Sequence, residues 1–166
     1  MAQQEDIIAH LDHIMDFQLS DLRKASICAT ANFLASIGAM NTIEFLGGVK
    51  NGKLGSKSDV RSRFIAGVNL LGGEYVRFGA DSMWGLRNSL THQYVPTLEG
   101  VSHITIANDW AGHRAILENG STVTLNVAQL IKDLERAWEG LRNQLLNDAE
   151  MLHRVSGALA RMPKLL

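Results

Sequence analysis

Apolar positions recur at helical spacing over most of this chain, and the pattern switches to alternation in only one stretch. Ile7, Ile8, Leu11, Ile14 and Met15 predict a short first helix over 5–17. A second, longer helix is expected from Ser20 to about Leu46, with Ser20 as its N-cap and Asp21 in its first turn. This segment is small or apolar nearly all round, from Ala25 through Phe33 to Ala39, which marks a central helix contacted on several sides. Gly47-Gly48 is read as its end. Ser58-Asp59 then caps a third helix with Val60, Phe64, Val68 and Leu71 buried, closed by Gly72-Gly73. A further amphipathic helix runs through Trp84 towards Pro96, which disfavours helical geometry at Val95.

After Pro96 the segments 101–107, 113–118 and 121–125 alternate as strands do, and Asn119-Gly120 is a strong hairpin turn. The expectation is one antiparallel hairpin within about 101–125, with a third strand beside it, covered by a helix; Trp110 and Ile116 are its packing residues. Asn126 caps a last helix reaching about Met162. Ile131, Trp138, Leu145, Leu152 and Leu159 occupy one heptad position, and Leu134, Leu141, Asp148, Val155 and Met162 the other, so that only Asp148 interrupts the seam. Unbroken, this helix would be roughly 50 Å long, and its distal half would need a partner helix in the same chain or in a second subunit. The fold class is thus mainly α: a helical bundle in a single domain over residues 1–166, with a small antiparallel β-hairpin inserted before a long C-terminal helix.

Composition narrows the functions. A 166-residue chain with 46% hydrophobic and 20% charged residues is ordinary for a globular domain, and a formal charge of −1 argues against tight, sequence-blind polyanion binding. The N-terminus shows no signal-peptide pattern, and the run from Ala25 to Met40 is too short and polar to span a membrane, so a cytoplasmic protein is expected. Cys28, the single cysteine, is expected to be buried and inert.

Three chemical motifs fail on context. Gly47 to Leu54 nearly spells a phosphate loop, but Leu54 replaces the metal-binding hydroxyl and a helix, not a strand, precedes it. His10 and His13 stand one turn apart without a third metal ligand, and His103 and His113, which strand pairing would bring together, lack carboxylate or cysteine neighbours. No cofactor or metal is implied. What remains is the helix through Trp84. Met83, Leu86, Leu90 and Tyr94 form its apolar stripe, Asp81, Gly85, Asn88 and His92 lie almost opposite, and Arg87 stands at the margin. An imidazole, an amide and a guanidinium suit proton transfer and phosphate binding, and Gly85 leaves room for a close approach. A buried Glu44 would need a partner such as an arginine.

A bare R-x4-H spacing is common by chance. The longer run Arg87-Asn88-x-Leu90-x-His92-x-Tyr94, helical and ahead of Pro96, resembles the signature of the HEPN superfamily, the higher eukaryotes and prokaryotes nucleotide-binding domain. That resemblance implies a four- to five-helix bundle that dimerises, and a metal-independent endoribonuclease acting as a toxin or phage-defence effector. It implies that Arg87 holds the scissile phosphate, Asn88 positions the phosphate or the histidine, and His92 is the acid–base group for attack by a ribose 2′-hydroxyl. Tyr94 matches the tyrosine that a nucleotidyltransferase antitoxin modifies, and two motif copies would face each other across the dimer axis. Asp81, Gly85 and Glu44 are supporting candidates, Glu44 with its carboxylate oriented towards Arg87 or His92. A non-catalytic HEPN-like dimer binding a nucleotide or protein is the alternative, followed by a structural oligomer built on the Ile131–Met162 seam.

Overall fold

The structure, a computed structural model, describes residues 2–28, 32–55, 58–93 and 95–162. In these residues the chain is mainly helical with one small sheet: α1 (Ala2–Ile27), α2 (Asn32–Asn51), α3 (Val60–Leu71), α4 (Gly73–Phe78), α5 (Ala80–Gln93), β1 (His103–Ala107), β2 (Ile116–Asn119), β3 (Thr122–Asn126), α6 (Val127–Asn147) and α7 (Ala149–Leu159). Helix α2 is central, packing against α1, α3, α5, α6, α7 and β1.

The boundaries of the first two helices differ from expectation. α1 continues through Ser20 to Ile27, because Leu11, Met15, Leu19, Leu22 and Ser26 prolong one buried stripe that nothing at 17–20 interrupts. Ser20 is therefore interior to a helix rather than its cap. Cys28, just past the end of α1 beside an exposed Ile27, is exposed rather than buried. Gly47-Gly48 does not end α2, which runs on to Asn51 and a turn at Gly52 with φ +63°. These glycines serve contact instead: a Cβ on Gly47 would lie 1.8 Å from the Arg63 carbonyl oxygen, and one on Gly67 would lie 1.9 Å from that of Ile43. The α2 and α3 backbones touch at this crossing. The near phosphate loop is thus dismantled by geometry, since its first two glycines are helical and pressed against α3.

α3 spans the expected residues, with Asp59 at its N-cap position but without a capping side-chain bond; its carboxylate lies 3.6 Å from Lys53 Nζ. The segment after Gly72-Gly73 is a short helix, α4, rather than a simple connection.

The sheet has the order β1-β3-β2, with β2 antiparallel and β1 parallel to β3. The hairpin is present, and its two loop residues are Gly120 and Ser121, one position later than the Asn119-Gly120 pair. The sheet is mixed because β1 joins the far side of β3. In that register His103 faces Thr122 while His113 lies before β2, so the two histidines do not pair. Ile116, Val123 and Leu125 are buried, whereas Trp110 is 38% exposed, with Lys132 Nζ 5.6 Å from its ring centroid.

The C-terminal helix is broken at Asp148. The residue that interrupts the heptads adopts an extended conformation (φ −122°, ψ 94°) and caps a new helix, its carboxylate accepting a bond from Met151 N–H at 2.9 Å. The 50 Å seam therefore does not form. α7 buries Met151, Leu152, Val155 and Ala158, and its helical neighbours are α2 and α6 of the same chain. Asn126 does cap α6, accepting from Gln129 N–H. Replacing Asp148 by alanine is expected to destabilise the fold by about 1 kcal/mol through loss of this cap, measurable as a lower midpoint in urea with an unchanged slope.

No helix among the described residues is long and apolar enough to cross a membrane.

Candidate functional site

Helix α5 positions the motif. Met83, Leu86 and Leu90 are fully buried, which locks the rotation of the helix. Its opposite side borders an open groove of about 1280 Å³, lined by Trp84, Gly85, Arg87, Asn88 and His92, with Asp81 and Ser82 at one end. The chain supplies the other wall itself. Past the helix end it folds back, the Thr97 N–H donating to Ser89 Oγ at 3.0 Å, and this sets Thr97, Leu98 and Glu99 along the groove. The space at Gly85 is bordered by this wall, since a Cβ there would meet Leu98 Cδ1 at 3.4 Å. The close approach expected at Gly85 is thus made by the chain's own Leu98.

Arg87 turns inward from the margin of the helix. Its side chain is only 14% exposed, and Nη2 donates to Glu44 Oε2 at 3.1 Å. Nη1 donates to Asn88 Oδ1 at 3.2 Å, and the guanidinium carbon sits 5.2 Å from the centre of the Trp84 ring. Trp84 in turn packs against Phe64, with ring centroids 5.6 Å apart. A planar cation over an indole face, bonded at two of its nitrogens, is well fixed in direction. Its Nε is buried without a hydrogen-bond partner.

Glu44 has two arginine partners. Besides Arg87 it accepts from Arg63 Nη2 at 2.6 Å, in surroundings where the Arg63 side chain is 8% and the Glu44 side chain 18% exposed. Two guanidinium groups on one carboxylate give this triad one net positive charge, of which only Arg87 reaches the groove. Arg63 was not singled out by the sequence reading. The signal for it was the spacing of four between Arg63 and Gly67, which puts the arginine on the face of α3 that crosses α2. Trp84 was equally legible, standing three residues before Arg87 on one helix.

His92 is exposed at the groove, and no hydrogen bond holds its ring among the described residues. Asp81 is bonded to Arg61 at 2.5 Å in a solvent-exposed pair. Tyr94 lies outside the described residues. The structure therefore brings Arg87, Asn88, His92, Asp81 and Gly85 to one groove, with Glu44 behind Arg87. His10 and His13 are exposed on α1, and no group of three histidine, cysteine or acidic residues suited to a metal occurs among the described residues.

A second cleft, of about 420 Å³, lies between α4, the β1–β2 connection and α6. Its floor is a buried polar network in which Tyr75 donates to Asp133 Oδ2 at 2.6 Å and Gln129 donates to Oδ1 at 2.9 Å. Burial raises the Tyr75 phenol well above the ordinary tyrosine range, so it stays a neutral donor. Glu74 accepts from the Ala115 N–H at 2.8 Å. These bonds tie α4 to α6 and to the sheet, which accounts for them as structural fastening.

Comparison with known protein families, with curated proteins and with solved structures finds no match.

Proposed function

We propose that this chain is a metal-independent endoribonuclease of HEPN type that works as a homodimer, in the role of a toxin or phage-defence effector. The observation that carries the reading is the joint placement of Arg87, Asn88 and His92 along one open groove, with Arg87 braced by Glu44 and Trp84 while His92 is left free to meet a ligand.

In this reading RNA lies in the groove with its scissile phosphate against Arg87. His92 takes the proton of a ribose 2′-hydroxyl as that oxygen attacks the adjacent phosphorus. The bond from phosphorus to the 5′-oxygen breaks, leaving a 2′,3′-cyclic phosphate and a 5′-hydroxyl. The departing oxygen needs a proton, and among the described residues His92 is the one imidazole that lines the groove. A second copy of the motif across a two-fold axis supplies the other histidine and a second guanidinium for the pentavalent phosphorus. Asn88, bonded to Arg87, keeps the guanidinium aligned. A nucleotidyltransferase-type antitoxin acting on Tyr94 is the regulator this reading carries with it.

The test is the requirement for a 2′-hydroxyl. With excess chelator present, purified protein is expected to cleave single-stranded RNA to 2′,3′-cyclic phosphate ends and to leave DNA of the same sequence intact. Cleavage that stops on chelation, or that proceeds equally on DNA, overturns the mechanism. RNA binding without cleavage would favour a non-catalytic HEPN-like dimer, a reading supported by the bonds that already occupy Arg87.

A further inference from the structure

Glu44, Arg63 and Arg87 form a partly buried triad with unequal arms. The arm to Arg63 is 2.6 Å and the arm to Arg87 is 3.1 Å. Arg63 does not line the groove, whereas Arg87 does. The contact of Glu44 with Arg87 runs through Nη2 alone, and the neighbouring Nε–H has no acceptor. A guanidinium with one edge half used, beside an open groove, is the member of the triad that can change partner.

We infer that Arg87 exchanges Glu44 for a phosphodiester of the nucleic-acid backbone, and that Arg63 is the positioning residue that makes the exchange possible. This rests on the groove being the RNA site. The physical argument concerns the carboxylate left behind. If Arg87 were the sole partner of Glu44, its departure would leave a largely buried anion unpaired, a costly state. Arg63 stays on Glu44 throughout, so the carboxylate keeps a bidentate-capable cation while Arg87 turns its Nε–Nη edge to the phosphate. Glu44 thus competes with the ligand for Arg87, and Arg63 weakens that competition without touching the ligand.

The consequence is an opposite sign for two members of one ion triad. Fluorescence anisotropy with a short 2′-O-methyl RNA, which lacks the attacking hydroxyl, reads binding separately from cleavage. Glu44→Gln is expected to tighten binding roughly threefold or more, and by more than Glu99→Gln, which removes one charge elsewhere on the groove. Arg63→Ala is expected to weaken binding by a similar factor, and Arg63→Lys to restore it. The decisive measurement is the Glu44→Gln/Arg63→Ala double variant: with no carboxylate to release Arg87 from, loss of Arg63 no longer weakens binding. Thermal melts of each variant check that the fold is retained, and Arg63→Lys keeps the test alive should Arg63→Ala not fold. If Arg63→Ala costs the same affinity in both backgrounds, or Glu44→Gln weakens binding, the exchange is wrong although the groove reading stands. If Arg87→Ala binds the probe as wild type does, the groove is not the RNA site and both readings fall together.

Discussion

Replacing His92 by alanine is expected to lower chelator-resistant RNA cleavage about 10²–10⁴-fold, the range for removing a group that transfers a proton in the transition state. The residue is exposed and makes no hydrogen bond among the described residues, so the fold has little to lose. Unfolding free energy of the variant is expected to stay within about 0.5 kcal/mol of wild type. This separation of activity from stability distinguishes His92 from Arg87. An alanine at Arg87 also exposes Glu44 to partial loss of its counter-charge and removes packing over Trp84, so a falling activity there would mix chemistry with structure. Initial rates on a short RNA, with thermal melts of the same preparations, supply the comparison. Cleavage retained by His92→Ala within a few fold of wild type would remove the imidazole from the mechanism, whatever the groove binds.

The second large effect is structural. Gly67→Ala is expected to destabilise the domain by about 3 kcal/mol or more, because overpacking at a rigid contact forces the backbone to move. A Cβ at Gly67 meets the Ile43 carbonyl oxygen at 1.9 Å and its carbonyl carbon at 2.7 Å, and main-chain atoms of a central helix cannot step aside as a side chain can. The methyl group must push α3 away from α2. For a chain of this size the melting temperature is expected to fall by roughly 6–12 °C. The same change at Gly140, where an added Cβ meets nothing within 4 Å on helix α6, is expected to raise stability by about 0.5–1 kcal/mol. Opposite signs for one substitution at two helical glycines would isolate the crossing as the cause. A Gly67→Ala protein as stable as wild type would mean that α2 and α3 do not approach as closely as described. The crossing also matters for the groove, since Arg63 and Glu44 belong to the two helices it joins. Parting them would loosen the brace behind Arg87.

Much of this was written locally in the chain. The buried stripe of α5, the end of that helix before Pro96, the Asn126 cap and the presence, though not the register, of the hairpin turn follow from spacing, from proline and glycine backbone preferences and from short-range bonds. Those features depend on neighbours within a few residues, so the sequence determined them unaided, and with them the grouping of Asp81, Gly85, Asn88 and His92 on one helical face. Asp148 was visible as the single break in the last seam, but not its outcome. Whether an aspartate at a buried heptad position is tolerated or becomes a cap is decided by what the following turn can pack on, and here that is α2 together with α6.

Tertiary structure decided the rest. Gly47-Gly48 read as breakers until α3 crosses on them, because a glycine that ends a helix and one that admits a neighbour look alike in one dimension. Arg87 stood at a margin and could reach either way; the carboxylate of Glu44, 43 residues earlier, drew it inward. Arg63 entered the site only through that shared carboxylate. The far wall of the groove came from the Thr97–Ser89 bond, which folds the chain back over its own helix. Helical periodicity and turn chemistry thus placed the imidazole, amide and guanidinium on α5, and long-range pairing of buried charges determined which way the guanidinium points.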